Sequence, residues 1–434
     1  MIKLIQSVSG NLYAYDSITN KIITLNLYTN KYPSGEIADS ILHKLNEDKS
    51  VQNIPLSCVR WKMSFDDCWE QIETHIPKLV LEMTTSCNLN CWYCDVSGMQ
   101  SDQCYTRKTI SKETVKSAID FFMKHNENCK NADISFYGGE ALLEFDLIKY
   151  AVKYANATIR KKTLSYDVST NGLLLNEQIA SWLEKNKNVQ VTCTVNGPYH
   201  DQYRVDKNGQ GSLNNIIQNL LFIRHDYPQV WENQIRFIAN VNSECEIPAM
   251  LDYYDKILEK KPLAITNIVW NDNIMPLIEN RPIVDFQNSN SVTAYYMDQM
   301  WAIKHRPIVE EEHKGIIPSC LPCEVKLFVH NDGKLSFCEK LCKSVSIGDL
   351  ETEFNKDYLR SLYEKAAQLF DSRCKTCWAQ RLCKVCLAPL FNMKGQLIDN
   401  IPEEICSQEK SNIEWLLSLY CQMSEENPDL LDYR

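Results

Sequence analysis

The chain lacks a long apolar run, a basic block and a secretion signal. No stretch approaches the ~18 consecutive apolar residues of a membrane span, so a membrane partner is not expected. The opening Met1-Ile-Lys-Leu-Ile-Gln-Ser-Val-Ser-Gly10 has neither the apolar core nor the small-residue cleavage site of a signal peptide. A cytoplasmic location is expected. Lys and Arg total 46 against 56 Asp and Glu, and the net charge is −10. With no lysine- or arginine-rich cluster, a nucleic-acid backbone is not the expected partner. Internal repeats and low-complexity tracts are also missing.

What the chain does have is cysteine, 19 in 434 residues. Disulfides do not suit a reducing compartment, a chain of this length needs no such staples, and an odd number cannot pair completely. Two places hold most of the thiols: Cys87, Cys91 and Cys94, and a second crowd from Cys320 to Cys406. Cys58, Cys68, Cys129, Cys193 and Cys245 are scattered and read as ordinary buried thiols.

Three regions follow from the patterning. Residues 1–75 open with β-like segments at Lys3–Val8, Asn11–Asp16 and Lys21–Leu27, then a helical spacing over Gly35–Asn46. This is a small α+β, winged-helix-like module or a cap on the next domain. From 76 to 270 strand and helix alternate. Strands are expected at Lys78–Met83, Ala132–Phe136, Ser165–Ser169, Val189–Val195, Gln234–Val241 and Leu263–Val269, with helices between. Repeated βα units imply an α/β fold with a parallel sheet. Periodicity permits either a partial (β/α)6 barrel or a doubly wound sheet. Residues 271–319 read as a connection with a helix near Thr293–Lys304, and 320–434 as a cysteine-rich domain.

The cysteine trio, Cys87-x3-Cys91-x2-Cys94, directly follows the first of these strands. Three thiolates can hold three irons of a [4Fe–4S] cube and leave the fourth open, whereas closed structural sites want four protein ligands. The second strand ends in Phe136-Tyr-Gly-Gly-Glu140, whose glycines Gly138 and Gly139 allow close backbone approach and whose carboxylate can accept from an ammonium. The third ends in Ser169-Thr-Asn171-Gly172, the fourth in Thr194-Val-Asn-Gly-Pro198 followed by His200-Asp-Gln-Tyr-Arg204. Arginine suits a two-pronged grip on a carboxylate; a salt bridge from Arg204 to Asp201 or Asp206 is the plainer alternative.

These motifs together resemble the radical S-adenosylmethionine (SAM) superfamily. The resemblance implies the partial (β/α)6 TIM barrel, with chemistry on the loops at the strands' C-terminal ends. It further implies that Cys87, Cys91 and Cys94 hold the cluster whose open iron binds SAM. Gly138, Gly139 and Glu140 would then meet its amino group, Ser169 and Asn171 its ribose and carboxylate. Arg204 would take the carboxylate and Tyr93 the adenine. Ala141 stands where the family usually has proline.

The second crowd runs Cys320-x2-Cys323, Gly333-x4-Cys338, Cys374-x2-Cys377-x5-Cys383-x2-Cys386 and then Cys406. Eight thiolates suffice to close two more [4Fe–4S] clusters, although paired C-x2-C is also a zinc signature. The pattern resembles the SPASM domain of radical-SAM peptide and protein modifiers, with one interval of two residues instead of three and Cys342 as a spare ligand. By that family's interleaved ligation, one cluster would use Cys320, Cys323, Cys338 and Cys386, the other Cys374, Cys377, Cys383 and Cys406. Glu339 stands where related sulfatase maturases have a basic aspartate; an ion pair with Lys340 or Lys343 is the alternative.

The resemblance, over 76 to about 410, points to a maturase of cysteine-rich, ribosomally made peptides. SAM and three [4Fe–4S] clusters are the implied cofactors. A precursor peptide with its leader, and an electron donor such as flavodoxin or ferredoxin, are the implied partners. The leader would bind residues 1–75. The implied reaction is hydrogen abstraction from a peptide carbon by a 5′-deoxyadenosyl radical, then oxidation and crosslinking, for instance to a thioether. Two alternatives stand beside it: an anaerobic sulfatase-maturing enzyme that forms formylglycine, and a non-catalytic iron–sulfur or zinc protein that binds peptides.

Overall fold

Six parallel strands form the centre of the molecule: β4 (Lys78–Thr84), β5 (Asn131–Gly138), β6 (Thr163–Thr170), β7 (Val189–Thr194), β8 (Ile235–Val241) and β9 (Ala264–Asn267). The computed structural model describes residues 1–17, 20–25, 65–94, 108–268, 281–282, 284–287, 290–304, 320, 322–341, 343–374, 376–392 and 394–432. The helix expected over Gly35–Asn46, the thiols of Cys58 and Cys342 and much of the 271–319 connection lie outside these residues.

The strand order decides between the two architectures that periodicity left open. β4 to β9 pair strictly in sequence, each parallel to the last. A doubly wound sheet reverses its order at a switch point; a sequential one does not. With right-handed crossovers, sequential order puts every helix on one face and curls the sheet into an open barrel. The intervening helices are Lys112–His125, Phe145–Thr158, Glu177–Lys185, Leu213–Asp226 and Ile247–Tyr253. Ser111 and Asn176 cap two of them by accepting from the N–H of Thr114 and Ile179.

The two faces of the sheet differ. The helix-covered face is apolar and buried, with Leu79, Leu81, Ile134, Phe136, Val168, Val191 and Phe237 in one core. The other face carries polar side chains that bond across strands. Ser165 donates to Asp133, and the Thr192 hydroxyl reaches Asp167 at 2.6 Å. The barrel therefore has a polar lumen.

The cysteine-rich region does not fold apart from this sheet. β10 (Leu327–Val329) pairs in parallel with β4, and β11 (Lys334–Ser336), β12 (Gly348–Asp349) and β13 (Glu353–Phe354) continue it antiparallel, giving a ten-stranded sheet. The long helices Lys356–Cys374 and Glu403–Glu426 complete the region. Phe65, in the helix Phe65–Thr74, stacks edge-on with Tyr363 at 5.6 Å, so one apolar core runs through both parts.

Beneath the β10–β11 turn lies a buried carboxylate, Glu82 of β4. It accepts from the Asn331 N–H at 3.0 Å, with His330 Nδ1 at 3.4 Å and Lys343 Nζ at 3.5 Å. Burial opposes its charge, but His330, Asn331 and Lys343 outweigh burial and hold its pKa below the usual glutamate value.

At the N-terminus β1 (Ile2–Gln6), β2 (Leu12–Asp16) and β3 (Lys21–Thr24) make a separate antiparallel sheet in that order. It packs on the C-terminal helix Glu403–Glu426: Tyr13 Oη donates to Glu425 at 2.7 Å and Lys3 meets Glu414 at 2.9 Å. Among the described residues, no helix is long and apolar enough to cross a membrane.

Removing the Glu82 carboxylate strands its donors, and Glu82→Ala should cost on the order of 3–5 kcal/mol of unfolding free energy. A depressed carboxyl pKa contributes stability that is present above the unfolded value and lost as pH falls through the folded one. Chemical denaturation between pH 7 and 3 should therefore show a shallower acid loss for Glu82→Gln than for the wild type. Equal slopes would disprove the role given to this group.

Candidate active site

The trio leaves the C-terminal end of β4 on a loop that is tied down on both sides. On one side it pairs with the segment after the fourth barrel strand, β7. Asn90 N–H donates to Val205 O at 2.8 Å, Trp92 N–H to Tyr203 O at 3.2 Å, and Leu89 bridges Asp206. On the other side Asn171, at the end of β6, donates through Nδ2 to Asn88 Oδ1 at 2.6 Å, with Cys87 Sγ 3.7 Å away. Cys87, Cys91 and Cys94 are close enough that the charges of Cys94 and Cys87 bear on Cys91. Burial above all pushes the Cys91 thiol up to about 11, against the pull of Arg204. Residues 95–107 lie outside the described residues.

The glycine pair after β5 serves the protein's own backbone. Gly138 has φ +135°, and a Cβ there would lie 2.2 Å from Thr84 O; one on Gly139 would lie 2.3 Å from Ser86 O. Gly139 N–H donates to Thr84 O at 2.7 Å and Glu140 N–H to Ser86 O at 2.8 Å. The close approach is thus to the stem of the cysteine loop. Glu140 is 1% exposed and already engaged. Its carboxylate accepts from Thr170 Oγ1 at 2.8 Å, Asn171 N–H at 2.8 Å and Leu142 N–H at 3.0 Å. Burial raises its pKa while these bonds oppose the shift. Glu140 therefore braces the ends of β5 and β6.

Arg204 is 7% exposed and pairs with a phenol, not with an acid. Its Nη1 donates to Tyr93 Oη at 2.9 Å, and Asn240 Nδ2 donates to the same oxygen at 3.2 Å. The two aspartates considered from sequence work elsewhere. Asp201 Oδ1 accepts from the N–H groups of Ser212 and Leu213, and Asp206 Oδ1 from those of Asn208 and Gln210. Arg204 Nε is buried without a hydrogen-bond partner. A buried donor left unmade is costly, and a ligand carboxylate would satisfy it.

The backbone of Arg204 is held by a polar chain that motif reading passed over. Asn196 N–H donates to His200 Nδ1 at 3.2 Å, so the ring proton sits on Nε2 and points to Ser212 Oγ at 3.1 Å. Ser212 Oγ in turn donates to Arg204 O at 2.8 Å. Burial, then Arg204, keeps His200 neutral, well below the ordinary histidine pKa. Asn240 was also missed, although a polar residue at the C-terminal end of a barrel strand is a recognisable signal.

Above the lumen stands Tyr137, opposite Glu82 in register and edge-on to Phe328 at 6.3 Å. Burial and the charges of Glu339, Cys94 and Cys338 raise its pKa, so the trio and the Cys338–Glu339 turn flank the same side chain. Glu339 forms an ion pair with Lys326, in place of the Lys340 or Lys343 considered from sequence, and Lys343 goes to Glu82 and Asp332. Burial opposes that carboxylate's charge, but Lys326 lowers its pKa on balance.

The second crowd separates into two places. Cys374, Cys377, Cys383 and Cys406 line one open cavity of about 60 Å³ with Phe370, Val385 and Ile401. Burial pushes Cys374 to about 11 and Cys383 to about 12. Cys338 feels the charge of Cys386, and Lys326 the charges of Cys338 and Cys320, so those three cysteines share a neighbourhood; Cys323 is buried at φ +63°. Among the described residues, no three His, Cys, Asp or Glu side chains converge closely enough to hold a single metal ion. Of the scattered thiols, Cys68 and Cys193 are buried as expected, Cys129 is half-buried and Cys245 is exposed.

Residues 81–230 match the model of the Radical SAM superfamily. The chain carries a radical SAM domain. A cysteine-type anaerobic sulfatase-maturating enzyme of Clostridium novyi is 23% identical over 339 residues, covering 70% of this chain and 86% of that protein. Protein MJ0907 of Methanocaldococcus jannaschii is 32% identical over 147 residues, 34% of this chain and 48% of its own length, so this chain spans about half of that relative. Among solved structures, native anSMEcpe with bound AdoMet superposes with TM-score 0.57 at 17% identity, over 82% of this chain and 98% of that one. Streptococcus suis SuiB gives 0.52 at 12% identity, over 93% and 98%. These likenesses establish the fold. A radical SAM domain implies SAM and a [4Fe–4S] cluster, and the thiol trio with a nearby arginine nitrogen left unpartnered fits them.

Gly138→Ala should strain the stem of the cysteine loop at a cost on the order of 1–3 kcal/mol. Reconstituted protein should then bind SAM more weakly in equilibrium dialysis, with its circular dichroism unchanged. Wild-type affinity would contradict the packing argument.

Proposed function

We propose that this chain is a radical SAM maturase of a ribosomally synthesised precursor peptide, forming a crosslink such as a thioether. The observation that carries the proposal is that Cys94, from the trio, and Cys338 and Glu339, from the later turn, all bear on the one buried side chain of Tyr137. A substrate residue above the lumen would lie between a radical source and an electron acceptor, as oxidative crosslinking requires. SAM, bound at the cluster, supplies the hydrogen-abstracting radical. The chain's own residues bind, orient and exclude water. In this reading Cys87, Cys91 and Cys94 hold the first cluster, and Arg204 Nε takes the SAM carboxylate. Asn171 and Ser169 line the ribose side, with Gly138, Gly139 and Glu140 shaping the amino end. Tyr93, fixed by Arg204 and Asn240, stands against the adenine. Cys320, Cys323, Cys338 and Cys386 hold a second cluster, and Cys374, Cys377, Cys383 and Cys406 a third. Glu339 is the candidate base, its charge held by Lys326 until a substrate displaces that pair.

The peptide reading is favoured by the N-terminal sheet. It is a separate three-stranded sheet outside the ten-stranded one that carries the barrel and the cysteine-rich region. We assign residues 1–75 to leader binding by strand addition. The 320–434 region belongs to the two auxiliary clusters, and an iron–sulfur or flavin protein is the electron donor. The sulfatase-maturase reading keeps the same core and clusters, and it has the named Clostridium novyi relative on its side.

Three cubane clusters amount to about twelve irons per chain. Iron and sulfide analysis of anaerobically purified protein should approach that figure, and the Cys87→Ala, Cys91→Ala, Cys94→Ala triple variant should lose about four irons and all SAM cleavage. Stoichiometric zinc with little iron would defeat the reading. Co-expression with a neighbouring short cysteine-rich gene should yield a peptide about 2 Da lighter per crosslink, the mass of two hydrogens. Conversion of a sulfatase-derived Cys peptide to formylglycine, with the neighbouring peptide untouched, would transfer the assignment to the alternative.

A further inference from the structure

The N-terminal sheet touches the molecule at an informative place. Its buried face, Ile5, Tyr13 and Tyr15, packs against Ala379, Leu382, Ile413 and Leu417, with Cys377, Trp378 and Cys383 at the edge of the same cluster. Ala379, Cys377 and Cys383 also line the cavity walled by the cysteine quartet. The Cys377–Cys383 loop therefore packs on the sheet and lines that cavity as well. Polar ties fasten the sheet along the C-terminal helix. Ser418 Oγ donates to Gln6 O at 2.7 Å, Tyr13 Oη to Glu425 at 2.7 Å, and Lys3 Nζ lies 5.3 Å from the centre of the Trp378 ring.

We infer that residues 1–16 form a water-excluding cover over the Cys374–Cys377–Cys383–Cys406 site and so tune whatever cluster it holds. The inference rests on the reading of that quartet as an iron–sulfur site. The reduction potential and chemical durability of such a cluster depend on its exposure to water. Water favours the more highly charged reduced state, so uncovering raises the potential and opens the sulfides to oxygen. A sheet packed behind this loop also accounts for the apolar Ile5, Tyr13 and Tyr15, with Ile22 of β3 at the margin of the same cluster. The sheet would then do two things at once: hold a leader, and set the electron affinity of the distal cluster.

The test uses the full chain in the Cys87→Ala, Cys91→Ala, Cys94→Ala background, so that only the auxiliary clusters contribute to the spectrum. Ile5→Asp loosens the apolar contact; Tyr13→Phe removes only the tie to Glu425 and guards against misfolding of the first variant. Lys21→Ala, on β3, is the control. Hydrogen exchange over residues 2–16 reports whether the cover has lifted. In variants where it has, redox titration followed by electron paramagnetic resonance should move the midpoint of one auxiliary cluster upward, and that cluster should lose iron in air several-fold faster. The other auxiliary signal and the Lys21→Ala protein should behave as the parent. The affected signal should be the one abolished by Cys383→Ala. Unchanged midpoint and iron loss with a demonstrably lifted sheet would overturn the cover. Parent protein with about four irons, none lost on Cys383→Ala, would instead overturn the reading of the quartet and the cover with it.

Discussion

The parallel pairing of β10 on β4 is the constraint on which the rest depends. β4 delivers the cysteine trio from its C-terminal end, and β10 leads into the turn of Cys338 and Glu339. Because the two strands share a register, Leu327 to Leu79 and Val329 to Leu81, the two thiol groups are fixed relative to each other by main-chain hydrogen bonds. The buried Glu82 locks that register, since its carboxylate is met by groups from His330, Asn331 and Lys343 on the added hairpin. A slip of one residue would turn each of these donors to the other face.

A second level of order rests on glycine and asparagine. Gly138 and Gly139 let β5 lean on the stem of the trio loop, and Asn171 spans from Glu140 to Asn88. The ends of β4, β5 and β6 are thereby one hydrogen-bonded unit. Tyr93, Arg204 and Asn240 make the corresponding unit from the trio loop across to β8. Both units belong to the candidate site, where Arg204 Nε and Asn196 Nδ2 are buried donors without a hydrogen-bond partner among the described residues.

Much of this was legible beforehand. All six barrel strands lie where alternating apolar runs bounded by Gly, Asn and Ser predict them, within a few residues at each end. Long periodic segments carry their own evidence, because a strand with one covered face and one polar face must alternate along its length. The three-residue β10 had no such signal; Leu327–Val329 is too short to have a period, and its partner lies some 250 positions away. Partner choice was the other blind spot. Arg204 with Tyr93 and Glu339 with Lys326 could not be read from neighbouring charges, since folding supplied nearer partners from distant strands and turns. The separation of the eight later cysteines into two places was read through the family's ligand order, and one of those quartets walls a single cavity.

The seating of the N-terminal sheet has a consequence for biosynthesis. Tyr13 and Glu425 are 412 positions apart, so the first strands to leave the ribosome wait for the last helix before they can dock. Chains emerge at about 5–20 residues per second. All four cysteines of the quartet, through Cys406, are made before most of the docking helix. During that interval the site stands open on the side the sheet will later close. If the quartet holds a cluster, the connectivity itself would let the metal enter before strands made some four hundred positions earlier dock against the finished helix.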